Sequence, residues 1–368
     1  MENNKNNTLI SRCYEIFSAA IYSRTFPGAA MAVSWGSPGK RKRIIQTYGH
    51  TTYSQENLVH TGTVYDLASL TKPLATTLAI LVLLKERRLQ LSDQIADILP
   101  QLGTSGGGIS IKDLLCHSAG FPAHQPYYLK LGRLAEEKRK DALLSLLAAE
   151  TPAYEPGSTS IYSDLGFMLL GLIVEKKSGL ELAEFFREKI TEPLGLTEGI
   201  FYPPAGETSK CAPTEECPLR QRILCGEVSD ENAYALGGAA GHAGLFGTVE
   251  GVLEMGVHLL DQWQGRGEHP NYRASDLRRF LTRQDIPGST WALGFDTPSH
   301  TGSSGGRYLA STSVGHLGFT GTSFWIDPTR DLVMVLLSNR VHPSRENIQI
   351  KQFRPLFHET VMESLGLV

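Results

Sequence analysis

Segments with the pattern of β-strands lie near both ends of the chain, and this placement limits the folds that it can adopt. Near the N-terminus, residues 29–35 and 43–49 are short apolar runs joined by the turn SPGKRK, which predicts a β-hairpin. Near the C-terminus, strand patterns return at residues 290–297, 315–327 and 331–339. Because strands must pair, we expect both ends of the chain to contribute to one sheet.

The region between these strands has the periodicity of helices. Helical patterns occur near residues 8–24, 69–88, 110–117, 135–150, 162–178, 181–190 and 250–262, and from 351 to the end. Residues 201–247 are instead rich in proline, glycine and polar side chains, and connections of that length are usually functional or disordered. The sequence therefore predicts an α/β lobe from residues 8–72 and 285–368, a mainly helical lobe from residues 73–284, and a cleft between them.

Composition excludes several classes of function. With 41% hydrophobic residues and a formal net charge of −3, the chain lacks the basic excess of a nucleic-acid-binding protein. Its most apolar stretch, residues 74–84, is shorter than the roughly 20 residues that span a bilayer, so we expect a buried helix and no membrane insertion. The N-terminus lacks the apolar run of a secretory signal, which predicts a cytoplasmic protein; a longer chain that began with such a signal would be secreted.

The cysteines predict reduced thiols. There are five, an odd number, and none belongs to a C-x-x-C motif. Cys211, Cys217 and Cys225 lie close together in the sequence, which leaves a redox-sensitive pair or a metal site as the alternative. We assign no metal and no cofactor.

The segment YDLASLTKPLATTLAILVLL carries Ser69 and Lys72 at the start of a strongly apolar helix. Residues three apart share a helix face, and a hydroxyl at a helix start lies near backbone N–H groups that stabilise negative charge. A buried lysine with a lowered pKa can activate a serine, which is otherwise a poor nucleophile. This spacing indicates Ser69 as a nucleophile with Lys72 as its proton-transfer partner. The alternative is an N-cap serine beside a solvated lysine.

Other serines match short catalytic motifs. Ser37 and Lys40 repeat the S-x-x-K spacing, but they lie in the turn WGSPGKRK with no helix after it. Ser105 in GTSGG and Ser304 in GSSGG match a G-x-S-x-G motif, which needs a buried strand before the serine and a helix directly after it. Neither serine has these neighbours in the sequence pattern, so we prefer Ser69.

Five segments, in order YDLASLTKPLA, ISIKDLLCHSAGFP, PGSTSIYSDLGFMLLG, GHAGLFGT and GHLGFTGTSFWIDP, span nearly the whole length. Together they resemble the superfamily of class C β-lactamases, penicillin-binding proteins and family VIII serine esterases. The resemblance implies an α/β two-lobed serine β-lactamase/DD-peptidase-like fold, an antiparallel sheet flanked by helices with an inserted, mainly helical lobe. It also implies Ser69 as the nucleophile, Lys72 as its partner and Tyr162 as the base of the second motif.

The same resemblance places the third motif of the superfamily at His316-Leu317-Gly318. The oxyanion hole would consist of the backbone N–H groups of Ser69 and Phe319. The superfamily usually has lysine at the first place of this motif. A histidine there is expected to give a weaker, pH-dependent positive charge for a substrate carboxylate.

The second motif also departs from the superfamily, because Asp164 stands where its lactamases usually have asparagine. Aspartate can hold Lys72 but cannot donate an amide N–H to a substrate carbonyl. Its charge also opposes the loss of a proton from Lys72. Both departures predict weak β-lactam hydrolysis. Nearby positions receive lesser roles: His242 is expected to contact the substrate, and His117 to be a buried, hydrogen-bonded residue.

These motifs predict a serine hydrolase that cleaves an ester or amide through a Ser69 acyl-enzyme. Because the 201–247 loop and SNRVHPSREN are similar to D-alanyl carboxypeptidase-like proteins and muramyl-peptide amidases, we expect a small-molecule ester, amide or muramyl-peptide-like substrate. One alternative is a β-lactamase or D-alanyl-D-alanine carboxypeptidase. Another is a catalytically idle ligand-binding homologue, which Asp164 and His316 would permit. The sequence specifies neither the oligomeric state nor whether Lys72 or Tyr162 takes the first proton.

Overall fold

The computed structural model describes residues 2–203 and 210–368, without the side chains of residues 2–4 and 104–106. The strands in these ranges are β1 Gly28–Trp35, β2 Lys42–Gly49, β3 Tyr65–Asp66, β4 Ile200–Phe201, β5 Glu216–Cys217, β6 Arg222–Ile223, β7 Phe246–Gly247, β8 Val314–Leu317, β9 Ser323–Asp327 and β10 Leu332–Ser338. The main sheet is antiparallel with the order β2-β1-β10-β9-β8. The predicted sheet from both ends of the chain is thus confirmed, while residues 204–209 of the predicted loop lie outside the described residues.

Helices lie on both faces of this sheet and fill the middle region. They are α1 Glu2–Tyr22, α2 Leu78–Lys85, α3 Ile95–Ile98, α4 Ile111–Leu115, α5 Tyr128–Leu131, α6 Glu136–Ala148, α7 Asp164–Ser178, α8 Leu182–Phe186, α9 Glu231–Ala235, α10 Val249–Trp263, α11 Ala274–Phe280 and α12 Ile350–Leu365. The helices predicted near residues 110, 135, 162 and 250 are therefore confirmed within a few residues. The exact boundaries of the two lobes stay a prediction.

The central strands are apolar on both faces because helices cover both. Side chains alternate across a strand, so Ala30 and Ala32 of β1 belong to the core shared with α10 and the middle region. Met31 and Val33 point the other way, into a second core. That second core lies against α1 and α12. Phe17 of α1 is one of its residues. The sheet therefore separates the two cores. Strand β8 forms one of its edges.

The segment that carries Ser69 is less regular than the predicted helix. It begins as a 3₁₀ turn at Ala68–Leu70, continues as a π-helix at Lys72–Thr77, and becomes α-helical only in α2. Pro73, which has no backbone N–H to donate, stands at the start of the widened turn. The stretch Ala68–Lys85 is apolar enough for a membrane span, yet 83% of it is buried inside the protein. It is packed as a core helix.

The prediction of a strand at residues 290–297 is wrong. The segment folds back on itself, and Trp291 faces Asp296 across an isolated bridge. Gly294 makes this reversal with a φ of +80°, a conformation that favours glycine. Asp296 also bridges to Gly315 of β8, so the turn lies against the edge of the main sheet.

A small three-stranded sheet joins the 201–247 region to the nucleophile segment. Its strand β7 pairs with β3, just before Ser69, and with β4. On one side, the Leu67 N–H donates to the Leu245 carbonyl at 2.9 Å. On the other side, the Leu67 carbonyl accepts a bond from Thr322 Oγ1 at 3.1 Å. Ser69 therefore lies between this region and the end of β8.

Candidate active site

Ser69 lines a cleft of about 730 Å³ and follows a strained turn. The preceding residue, Ala68, has a φ of +49°, in the left-handed region that alanine rarely adopts. The Asp66 side chain holds this turn, since it accepts the Ala68 N–H at 2.8 Å and the Ser229 N–H at 2.7 Å. Burial raises the pKa of the Asp66 carboxyl to about 7. The turn directs the Ser69 hydroxyl into the cleft.

Lys72 is fully buried, and its ammonium group has an acceptor for each of its three N–H bonds. Nζ donates to Ser69 Oγ at 3.1 Å, to Asp164 Oδ1 at 2.7 Å and to the His242 carbonyl at 3.1 Å. Burial alone would lower the pKa of Lys72. The charge of Asp164, helped by Tyr162, outweighs burial and raises that pKa to about 12. Lys72 is therefore a cation at neutral pH.

Asp164 is the first residue of α7, where the unpaired backbone N–H groups of a helix stabilise a carboxylate. Burial opposes its ionisation. The Lys72 ammonium and His124 together overcome this effect and hold the Asp164 pKa well below its usual range. His124 Nδ1 lies 3.6 Å from the second carboxylate oxygen. The aspartate thus holds Lys72, as the sequence predicted.

Tyr162 lies two residues before the first residue of α7 and faces Ser69. Its Oη is 2.8 Å from Ser69 Oγ. The ring stacks on Trp291 with their centroids 5.6 Å apart, and Lys72 Nζ lies 4.9 Å from the Tyr162 ring centroid. Burial raises the pKa of the Tyr162 phenol, and the Lys72 charge opposes that rise. Ser69 Oγ therefore has a cation and a phenol within hydrogen-bonding distance.

The two backbone N–H groups proposed for the oxyanion hole, those of Ser69 and Phe319, have no acceptor among the described residues. Gly318, the residue before Phe319, lies against the Leu67 carbonyl of the nucleophile segment. A Cβ at this position would lie 2.6 Å from the Leu67 carbonyl and would collide with Thr322, so only glycine permits the approach. Donors without partners at the edge of a cleft are suited to an oxyanion.

His316 does not carry the charge that the sequence predicted. Burial, and then the nearby Lys72 charge, lower the pKa of its imidazole to about 3, so the ring is neutral. Its Nδ1 lies 2.8 Å from the Leu317 carbonyl, and its Nε2 has no partner among the described residues. A neutral imidazole that donates from Nδ1 presents Nε2 as an acceptor. His316 therefore places a neutral ring, and not a cation, in the wall of the cleft.

His242 is placed at the cleft wall with its side chain already bonded. Its Nε2 lies 2.9 Å from Asp230 Oδ1, and only 1% of the residue is exposed. Its backbone carbonyl is one of the three acceptors of Lys72. In this structure His242 therefore fixes the lysine, and its contact with a substrate stays a prediction.

Sequence reasoning missed several residues of the cleft, namely Asp66, Asp230, Trp291, Arg340 and Arg354. Asp66 lies within the YDLASLTK segment, so an acidic residue three positions before the serine was a signal available in the sequence. The two arginines had no such signal, because their partners are backbone carbonyls in other elements.

The remaining serine and histidine predictions can be placed as well. His117 is buried, and its Nδ1 accepts the Ser163 N–H at 3.1 Å, as expected. Ser37 and Ser304 do not line the cleft, and the side chain of Ser105 lies outside the described residues.

Two of the cysteines are neighbours in the structure, since Cys225 Sγ lies 3.2 Å from the Cys211 carbonyl.

Comparison with known proteins identifies the family. The profile of the Beta-lactamase family matches residues 15–356. The chain belongs to the β-lactamase family. It is a serine hydrolase of that family, as its motifs predicted.

Curated relatives of this β-lactamase-family chain share about a third of its sequence. It is 34% identical over 339 residues to a "Putative D-alanyl-D-alanine carboxypeptidase" of Escherichia coli (strain K12), covering 84% of this chain and 75% of that protein. A protein of the same name from Salmonella agona (strain SL483) is 31% identical over 327 residues, covering 82% and 75%.

Solved structures share the fold of this β-lactamase-family chain at lower identity. EstCE1, a hydrolase with promiscuous acyltransferase activity, has a TM-score of 0.72 and 21% identity, covering 95% of this chain and 99% of its own. A penicillin-binding protein homolog from Caulobacter crescentus has a TM-score of 0.73 and 20% identity, covering 97% and 98%.

Proposed function

We propose that this enzyme hydrolyses an amide or ester bond of a small peptide-like substrate through an acyl-enzyme on Ser69. The observation that carries the proposal is the surroundings of Ser69 Oγ, which lies 3.1 Å from Lys72 Nζ and 2.8 Å from Tyr162 Oη. The charged Lys72 has no lone pair for the serine proton. Tyr162 is therefore the group placed to receive it.

Acylation begins when the phenolate form of Tyr162 takes the Ser69 proton and Oγ bonds to the substrate carbonyl carbon. The nearby Lys72 charge favours that phenolate. The carbonyl oxygen becomes an oxyanion, which the backbone N–H groups of Ser69 and Phe319 hold. As this intermediate collapses, the bond to the leaving group breaks, and Tyr162 returns the proton to the leaving group.

Deacylation repeats these transfers with water. Tyr162 takes a proton from the water molecule while its oxygen bonds to the acyl carbon. The bond to Ser69 Oγ then breaks, and Tyr162 gives the proton back to Ser69. The acid product leaves, and the enzyme returns to its starting protonation state.

For the substrate, we propose a charged peptide of the kind derived from bacterial cell walls, such as a muramyl peptide. Acidic side chains, including Asp230 and Glu231, and basic ones, including Arg340 and Lys351, line the same cleft. A peptide that carries both amino and carboxylate groups complements such a lining. The names of the relatives as D-alanyl-D-alanine carboxypeptidases support a peptide substrate.

The test compares the wild type with Ser69→Ala and, as a matched control, Ser304→Ala. Each protein is treated with a fluorophosphonate probe and analysed by peptide mass spectrometry. We expect covalent mass on the Ser69 peptide of the wild type and of the control. Turnover of p-nitrophenyl esters by Ser69→Ala is expected to fall at least about 1,000-fold. Unchanged ester turnover in that variant would contradict the nucleophile assignment.

A substrate panel resolves the substrate class. Muramyl peptides, peptides ending in D-Ala-D-Ala, p-nitrophenyl esters and nitrocefin are compared by kcat/KM. We expect a peptide to exceed nitrocefin, and a preference for nitrocefin would reject the peptide proposal. A wild type that binds a peptide but shows neither turnover nor labelling would instead be an idle homologue.

We also propose a cytoplasmic location for this enzyme. Cell fractionation with the full natural gene tests this location. Recovery of the protein outside the cytoplasmic fraction would reject it.

A further inference from the structure

Arg354 is a buried cation without an acidic partner, placed directly behind the proposed oxyanion hole. It lies on α12 and is 6% exposed. No carboxylate of the described residues forms an ion pair with it, and its Nε has no hydrogen-bond partner there. An unpaired buried charge is costly to keep in a fold. The hydrogen bonds of the Arg354 guanidinium indicate the role of this charge.

The guanidinium of Arg354 bonds to the loop that follows β8. Nη2 donates to the Gly318 carbonyl at 2.5 Å and to the Thr322 carbonyl at 2.9 Å. The Gly318 carbonyl and the Phe319 N–H belong to one planar amide group, in which they point in opposite directions. A cation on the carbonyl side fixes the direction of that N–H and draws electron density away from it.

We propose that Arg354 strengthens the Phe319 N–H as an oxyanion donor by holding and polarising the amide that Gly318 and Phe319 share. This inference rests on the proposed function. Arg354 is a positioning residue, since both of its hydrogen bonds go to backbone carbonyls of the loop that carries Phe319. The negative oxygen develops only as the serine attacks, so a cation behind the donor stabilises the transition state more than the bound substrate.

Neighbouring contacts support this role. Arg340, a second buried arginine, donates from Nε to the Phe319 carbonyl at 2.8 Å and so fixes the next amide group. Burial and the Arg340 charge lower the pKa of Arg354 to about 9, so the free enzyme holds this charge at a cost. A developing oxyanion nearby reduces that cost.

The experiment separates charge from hydrogen bonding with two substitutions. Arg354→Gln keeps a neutral N–H donor, whereas Arg354→Lys keeps the positive charge. For a neutral p-nitrophenyl ester, we expect Arg354→Gln to lower kcat about 10- to 100-fold with KM changed less than about twofold. The affinity for a boronic acid, which forms a tetrahedral anion on Ser69, should fall by a similar factor. We expect Arg354→Lys to recover most of both losses.

Unchanged kcat and boronic acid affinity in folded Arg354→Gln would overturn the inference, and so would equal losses in the glutamine and lysine variants. Circular dichroism establishes whether each variant folds. If the glutamine variant does not fold, the lysine variant decides: near wild-type values support the inference, and a loss of about 100-fold rejects it. Fluorophosphonate labelling of wild-type Ser69 is measured in parallel. Its absence would reject the proposed function itself, whereas labelling with unaffected Arg354 variants would reject only this inference.

Discussion

Replacing Asp164 with asparagine removes the negative charge 2.7 Å from the Lys72 ammonium while preserving the shape of the side chain. Without that charge, burial dominates, and the Lys72 pKa falls from about 12 to its ordinary value of 10.5 or lower. This change corresponds to at least about 2 kcal/mol, because each pKa unit is about 1.4 kcal/mol. The Asp164 charge also raises the pKa of Tyr162. Its removal therefore lets the coupled pair of Lys72 and Tyr162 lose the one proton that separates it from the reactive form at a lower pH.

The assay is kcat/KM for a p-nitrophenyl ester between about pH 6 and pH 10. For Asp164→Asn, we expect the rising limb of this profile to move at least about 1.5 pH units lower, which is about a thirtyfold increase at a fixed pH on that limb. Asp285→Asn is the matched control, because Asp285 is exposed and does not line the cleft. A limb that stays in place, or moves to higher pH, would refute this account of Lys72.

The same Asp164→Asn variant bears on β-lactams. An asparagine amide can donate a hydrogen bond to a substrate carbonyl, which an aspartate cannot do. We therefore expect nitrocefin turnover to rise. Turnover that does not rise at all would show that Asp164 is not the cause of weak β-lactam hydrolysis.

Three further predictions concern other parts of the site. Tyr162→Phe should lower kcat/KM about 100- to 10,000-fold while the fold is retained, which ester kinetics and thermal unfolding measure. A loss of kcat/KM below about tenfold would exclude Tyr162 as the base. Gly318→Ala should lower kcat at least about 100-fold, because the added Cβ collides with the Leu67 carbonyl; wild-type kinetics would contradict the close approach. With its pKa near 3, the His316 ring stays neutral between about pH 6 and pH 8. The pH dependence of KM for an anionic peptide should therefore be the same in His316→Gln as in the wild type. A pH dependence that is present in the wild type and lost in the variant would reveal a charged ring.

Parts of the site that depend on neighbours in sequence could be predicted. Ser69 and Lys72 are three residues apart, and the turn of the helix brings Nζ within 3.1 Å of Oγ even though that turn is irregular. The terminal strands were predictable because their apolar runs are bounded by turn residues. The 290–297 segment failed because one glycine, Gly294, reverses the chain within an otherwise strand-like pattern.

Protonation states could be predicted only in part, because they depend on residues distant in sequence. The second motif indicated the effect of Asp164 on Lys72, but the His242 carbonyl, 170 positions from Lys72, had no such signal. His316 is neutral because of burial, which no local motif encodes. Arg354 lies in an ordinary amphipathic helix pattern, and only the packing of α12 against the end of β8 reveals its partners.

The three acceptors of Lys72 belong to three separate stretches of the chain: the turn at Ser69, the start of α7 at Asp164, and the loop at His242. A partly unfolded form that retained its helices but loosened their mutual packing would leave the ammonium without this set of acceptors. Catalytic turnover in such a form would cease while the helical circular dichroism signal persisted. Activity is therefore a more sensitive reporter of tertiary order in this enzyme than its secondary structure content.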